Sequence, residues 1–392
     1  MAPSADTLGN LRVALVHHWL VRMRGGEKVL KALCQIFPQA DIYTLVFDPN
    51  QISESIRQHQ ITTSWIQKLP WAKKHYAWYL PVFPLAIEQF DLSGYDLVIS
   101  SEAGVSKGVI TRPETCHICY CHTPLRYAWS AYHIYLQAVR SPFRRRLIPF
   151  VMNYLRLWDW VSSSRVDYYI ANSQNVANRI RKYYRREAAV IYPPIATTDF
   201  GQADTIGDYY LAVGQLVPYK RFDLAVDAFN QLGRPLLIVG DGPEYSRLQR
   251  KAGKNIKLLG RTSDEKLKEY LSRSRALILP GEEDFGMIAV EAHACGRPVI
   301  ALARGGALET VIPELNGLFF ENETVASLAE AVVRFESIET KFQPRLIQET
   351  ARPFSEDRFE REIRDFIFEK YQEHCDHFTV CRGDYKPQNQ RG

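Results

Sequence analysis

The chain has 392 residues, long for one hydrophobic core and a natural length for two domains of ordinary size. Its 46% hydrophobic and 24% charged content is that of a soluble globular protein, and a net charge of +5 is too modest to suggest a nucleic-acid partner. No apolar run is long enough to span a bilayer, residues 1–10 lack the basic and apolar regions of a secretory signal, and seven cysteines without framework spacing fit a reducing compartment, so a cytoplasmic protein is expected.

Leu11 to Val16 is an apolar run ending at His17-His18 and reads as the first buried strand. Gly25-Gly26-Glu27 then precedes a helix pattern through Val29, Leu30, Leu33, Cys34, Ile36 and Phe37. Tyr95 to Ser100, His117 to Tyr120 and Tyr168 to Ala171 read as further strands with helical segments between them, which argues for a mostly parallel, covered sheet. Near Tyr192-Pro193-Pro194 the pattern breaks, and the polar stretch Thr197 to Asp208 reads as an interdomain linker. A second α/β series follows, with strands Tyr209 to Val213, Pro235 to Val239, Ile256 to Leu259, Ala276 to Leu279, Pro298 to Ala301 and Gly317 to Phe320. Its helices start near Asp223, Pro243, Asp264, Gly286, Gly306 and Val325, and a final helix pattern runs from Ser355 to about Gln372.

Two stretches mix cations with aromatics. One carries Trp65, Trp71, Trp78, Lys73 and Lys74; the other carries Arg140, Arg144, Arg145, Arg146, Phe143, Phe150, Tyr154 and Trp160. Such a surface suits anionic lipid headgroups, and equally describes a buried aromatic core beneath a solvated basic face. Cys116, Cys119, Cys121 and His122 match no common zinc spacing, and a strand sends alternate side chains to opposite faces, so structural thiols are expected there.

The densest chemistry lies in Pro280-Gly281-Glu282-Glu283-Asp284-Phe285-Gly286-Met287-Ile288-Ala289-Val290-Glu291. Glu283 falls in a strand-to-helix loop, and Glu291 lies about two turns into the helix. Helical side chains lean toward the N-terminus, so Glu291 is predicted to point back to the carboxyl edge of the sheet, where open α/β sheets bind ligands. The amides of Phe285, Gly286 and Met287 are first-turn donors that suit a phosphate. A plain helix with an acidic first turn is the bland alternative. Cys121-His122-Thr123-Pro124-Leu125-Arg126-Tyr127 places His122 on a loop just past a strand. Val213-Gly214-Gln215-Leu216-Val217-Pro218-Tyr219-Lys220-Arg221 puts a basic pair between a strand end and a helix.

The Glu283–Glu291 segment resembles the E-x7-E motif of the retaining, GT-B-fold glycosyltransferases of family 4, and the phrase around His122 resembles that of bacterial O-antigen and exopolysaccharide mannosyltransferases. The resemblance runs from Leu11 to about Phe366. It implies two Rossmann-like domains facing across a cleft: residues 1–200 for the acceptor and 205–354 for the nucleotide-sugar. A helix over 355–373 would cross back to the first domain, and 374–392 would be a loose tail. It also implies catalytic roles for Glu283 on the transferred sugar, His122 on a sugar hydroxyl and Lys220 on the leaving diphosphate. The donor would be held by Gly25, Gly26, Gln215, Lys220, Arg221, Arg261, Phe285, Gly286, Met287 and Glu291, the last on the ribose and Arg261 at the base.

Relatives carry arginine where this chain has Gln215; either Arg221 supplies the second positive charge or the site is weaker. The implied reaction is a same-face, oxocarbenium-like transfer in which the leaving diphosphate takes the acceptor's proton, with neither metal nor other cofactor. GDP-mannose is the implied donor. The implied acceptor is a saccharide or lipid-linked oligosaccharide, met in cell-surface polysaccharide synthesis at the inner face of an anionic membrane. A UDP- or ADP-sugar transferase and a non-catalytic nucleotide-sugar-binding subunit are the other readings. A nicotinamide enzyme ranks far below, because no G-x-G-x-x-G follows the first strand.

Overall fold

The computed structural model describes residues 9, 11–139 and 141–383, with side chains of the last helix described as far as His377. Arg140, the N-terminal segment apart from Gly9, and residues 384–392 of the expected tail lie outside the described residues.

Two parallel sheets form the molecule. The first comprises β1 (Val13–His17), β2 (Asp41–Thr44), β3 (Ile61–Thr63), β4 (Leu97–Glu102), β5 (Cys116–Cys121), β6 (Tyr168–Ala171) and β7 (Ala189–Val190) in the order β3-β2-β1-β4-β5-β6-β7. The second comprises β8 (Tyr210–Val213), β9 (Leu236–Val239), β10 (Ile256–Gly260), β11 (Leu277–Leu279), β12 (Val299–Leu302) and β13 (Gly317–Phe320) in the order β10-β9-β8-β11-β12-β13. Every pairing between these strands is parallel. β1 and β5 are buried at every position, as strands covered on both faces must be. Along β5 the alternation sends Cys116 into one core cluster and Cys119 and Cys121 into another.

Strand order reverses between β1 and β4 in one sheet and between β8 and β11 in the other. Connections leave such a point in opposite directions and open a crevice at the carboxyl edge. The helices that matter to it are α1 (Gly25–Ile36), α2 (Tyr132–Ala138), α3 (Pro142–Ser162), α4 (Gln174–Tyr184), α5 (Met287–Ala294) and α6 (Glu356–Gly383). α1 buries Val29, Leu30 and Leu33 against the first sheet, each worth about 2–3 kcal/mol as a buried aliphatic side chain.

Past the second sheet the chain returns. Ile195 N donates to Phe354 O at 2.9 Å, and α6 inserts Phe359, Ile363 and Ile367 into the core of the first sheet. The expected helix end at 373 is corrected: α6 continues to Gly383, through much of what was expected to be loose. No glycine or proline interrupts the run before Gly383, and Lys370 reaches both Glu369 and Glu373 at the point where the end was expected. Among the described residues no helix is long and apolar enough to cross a membrane.

Candidate functional site

The two crevices open onto one cavity of about 730 Å³, within the range of small-molecule sites. From the first sheet its wall takes residues just past β1 (His18, Gly25, Gly26), β4 (Ala103) and β5 (His122). From the second it takes residues just past β8 (Gln215, Lys220) and β11 (Glu283 to Met287). Nine of the residues singled out in the sequence therefore face a common space: Gly25, Gly26, His122, Gln215, Lys220, Glu283, Phe285, Gly286 and Met287.

Each is set by its local backbone. Gly286 sits at φ +87°, a left-handed conformation that glycine adopts without strain, and this starts α5 with its first-turn amides lacking intrahelical acceptors. The loop before it is pinned from behind, because Gly306 N donates to Glu283 O at 2.9 Å and a Cβ on Gly306 would strike the Phe285 backbone. Lys220 Nζ lies 2.8 Å from Glu283 Oε1. Burial alone pulls the Lys220 ammonium down, but the Glu283 carboxylate outweighs it and holds the group above its ordinary value, charged. His122 lies 2.9 Å from Ser101 Oγ, and burial, aided by neighbouring His17, lowers its imidazole to about 3. The ring is neutral at pH 7 and offers one donor and one acceptor.

Glu291 lies one turn deeper on α5. Its carboxylate receives Lys28 Nζ of α1 at 2.6 Å, so it faces the gap between the halves. Glu291 itself is not on the cavity wall, and two further sequence candidates stand apart from it. The Arg221 guanidinium engages Glu323 at 2.7 Å and Asp223 at 3.3 Å, and does not line the cavity. The residue sits at φ +53° where the turn enters the next helix. Arg261 is exposed and pairs with Asp241 at 3.2 Å, also off the cavity wall.

Other residues complete the site without having been assigned a role from sequence. Asp284 is gripped by Arg126 from the loop after β5 and by Arg179 from α4, and Arg179 also reaches Glu282. Burial pushes the Asp284 carboxyl up, but the two guanidiniums overcome this and hold it below the usual range. Arg126 also stacks 4.2 Å above the Tyr219 ring. Arg24, just before Gly25, lines the cavity and donates from Nη1 to Gln215 Oε1 at 3.3 Å. On the side of the first sheet the wall turns apolar, with Trp19, Leu80, Phe83, Tyr135, Ile148 and Met152. One cavity thus joins a cationic, amide-rich wall suited to a phosphate group to an apolar compartment.

Residues 23–199 match the family model described as Glycosyltransferase Family 4, and residues 189–352 match that of Glycosyl transferases group 1. An uncharacterized glycosyltransferase of Methanocaldococcus jannaschii is 32% identical over 179 residues, 44% of this chain and 50% of its own length. The GDP-mannose-dependent monoacylated alpha-(1-6)-phosphatidylinositol monomannoside mannosyltransferase of Corynebacterium glutamicum is 37% identical over 135 residues, 30% of this chain and 35% of its own. The chain thus spans half or less of the length of these curated relatives. Sucrose-phosphate synthase from Thermosynechococcus elongatus superposes with a TM-score of 0.68 at 18% identity, over 92% of this chain and 100% of that one, a likeness of fold.

Proposed function

The chain is a GT-B glycosyltransferase of the family 4 kind, and from that premise we propose that it transfers a hexose, with retention, from a nucleotide-sugar to a saccharide or lipid-linked oligosaccharide. The observation that carries this reading is the convergence of Glu283, Lys220, His122 and the first-turn amides of α5 on one cavity. In the reaction the bond from the anomeric carbon to the diphosphate oxygen breaks, and its electron pair stays on the diphosphate. Lys220 and the amides at the start of α5 stabilise that growing charge. The acceptor oxygen bonds to the same face of the anomeric carbon, and its proton passes to the departing diphosphate. Glu283 and the neutral His122 hold sugar hydroxyls, and Glu291 exchanges Lys28 for the ribose. Cation and amides provide the electrostatic stabilisation that a metal gives in other sugar transferases.

Mannose from GDP-mannose is the preferred donor, a choice supported by the Corynebacterium relative's name and by the phrase around His122. UDP- and ADP-sugars are the competing donors. The apolar compartment favours an acceptor carried on a lipid, and the exposed Phe143 and Phe150 beside exposed Arg144, Arg145 and Arg146 on α3 favour work at an anionic membrane surface.

A thermal-shift series with GDP-, UDP- and ADP-sugars identifies the donor, because a ligand at 100 times its Kd stabilises by about 2.7 kcal/mol. With that donor, Glu283→Ala is expected to lower kcat by at least about 100-fold while leaving the unliganded melting temperature within a few degrees. Full turnover in the variant would remove Glu283 from the chemistry. Donor stabilisation without turnover on any lipid-linked or free saccharide would favour a binding subunit.

A further inference from the structure

The cations around the cavity divide by what they touch. Lys220 is paired with Glu283, Arg126 and Arg179 with Asp284, and Arg221 with Glu323 and Asp223. Arg24 lines the same cavity, and its guanidinium rests on a neutral group, the Gln215 amide. Its backbone is fixed: it caps α1 in an extended conformation (φ −139°, ψ −168°), with its N–H donating to Glu27 Oε2 at 3.0 Å. The next residue, Gly25, comes close enough to Met287 that a Cβ there would lie 3.0 Å from the sulfur. Arg24 therefore lines the same cavity as Lys220 and the start of α5, and its guanidinium meets the one position on the second-sheet wall where a cation was expected and an amide stands.

We propose that Arg24 supplies the second positive charge of the donor-diphosphate site, delivered from the first domain in place of the charge residue 215 lacks. The proposal rests on the nucleotide-sugar reading above and adds a mechanical consequence. Lys220 belongs to one half of the molecule and Arg24 to the other, so the pair of cations is complete only while the cleft is shut. Charge that builds on the leaving diphosphate finds both partners in the closed state alone. An open, donor-loaded protein is thereby kept from losing its sugar to water. Donor diphosphate displaces the Gln215 amide from the guanidinium, and a bidentate arginine–phosphate contact replaces a neutral hydrogen bond.

Three variants test this: Arg24→Ala, Gln215→Arg and the double variant Arg24→Ala/Gln215→Arg. The readouts are steady-state transfer with the donor found by thermal shift, and stabilisation by the free nucleoside diphosphate and monophosphate. Arg24→Ala is expected to lower kcat/KM for donor by about 100-fold, most of it in kcat, as loss of one charge-stabilising donor does. It should weaken stabilisation by the diphosphate and leave that by the monophosphate unchanged. Returning the charge from the other domain in the double variant should recover at least about tenfold of the loss, which a packing role for Arg24 does not allow. Melting without ligand separates a folding defect, since a variant that melts like the parent has lost charge and not fold. Activity of Arg24→Ala within twofold of the parent, or a double variant no better than the single, overturns the assignment of Arg24 alone. A parent protein that no nucleoside diphosphate stabilises overturns this proposal and the donor reading together.

Discussion

Three fully buried histidines give the molecule an acid limit. His17, His117 and His293 have no exposed surface, and burial lowers the first and third to about 3 and His117 to about 4. In the unfolded chain each returns to its ordinary value of about 6.5. Below that pH the unfolded state takes up protons that the folded state refuses, so stability falls as pH drops from about 6.5 toward the folded values. Each ring contributes about 1.4 kcal/mol per pH unit once its unfolded form is protonated, or ~4 kcal/mol per unit for the three together. The midpoint of urea unfolding is expected to be clearly lower at pH 5.5 than at pH 7.5, and an unchanged midpoint would mean that these rings accept protons in place. The residues that sequence could place at the site share a context: Glu283, Lys220 and His122 each sit in a turn directly after a buried apolar run, so chain order alone fixes their edge of the sheet. Pairing is another matter. Arg126 and Arg179 meet Asp284 across 158 and 105 positions of sequence, and Arg221 turns away from Lys220 because its left-handed backbone aims the side chain at Glu323. No local pattern encodes contacts of that kind.

At the scale of elements, most strands legible in the sequence are buried along most of their length; β10 is the exception, an edge strand buried only at Ile256 and marked by Ile256, Leu258 and Leu259. β2, β3 and β7 lie toward the outer parts of the first sheet, short and only half-buried, and β7 takes just two residues of the apolar run Ala188 to Tyr192, too few for that run to mark a strand. α3 resolves the two readings of the basic aromatic stretch by containing both. Its inner face buries Leu155 and Asp159, and Asp159 accepts hydrogen bonds from Lys107, Trp129 and Tyr184. Its outer face exposes Phe143, Leu147, Phe150, Tyr154, Leu157 and Val161 at a 4-3-4-3-4 spacing, with Phe143 and Phe150 each 74% exposed. Arg144, Arg145 and Arg146 are exposed at the same end, and Ile148 and Met152 of the same helix line the cavity. A bilayer rich in anionic lipid complements this combination, because each buried apolar side chain gains about 1.5–3 kcal/mol and each arginine near the headgroups about 1 kcal/mol. The protein is expected to sediment with phosphatidylglycerol vesicles and far less with phosphatidylcholine vesicles, and Phe143→Glu/Phe150→Glu to leave it in the supernatant. A parent that stays in the supernatant with anionic vesicles would refute membrane docking. Dimers in light scattering that the double variant dissolves would assign the face to a second copy instead.

On the scale of the whole molecule, the bonds that shut the cleft are mostly not those of the chemistry. Ser173 Oγ and Asn175 Nδ2, at the start of α4, reach Asp284 O at 2.8 and 3.3 Å. The amides of Gln174 and Asn175 close on the Glu309 carboxylate at 2.7 and 2.9 Å, an anion from the second domain set at the positive end of a helix in the first. Arg126 and Arg179 add their grip on Asp284. Charge-assisted bonds of this type contribute about 1.5–3 kcal/mol each, enough in sum to favour closure before any donor arrives. Donor would then add its own bridge, diphosphate between Arg24 and Lys220. The variant Asp284→Asn/Glu309→Gln keeps shape and removes both anions, so the empty protein is expected to open. Small-angle scattering should report a radius of gyration above the ~21 Å of a compact chain this long, returning toward it at saturating donor. If the variant scatters like the parent without donor, closure rests on the α6 crossover and apolar packing rather than on these anions; if donor fails to close it again, the diphosphate does not bridge the halves.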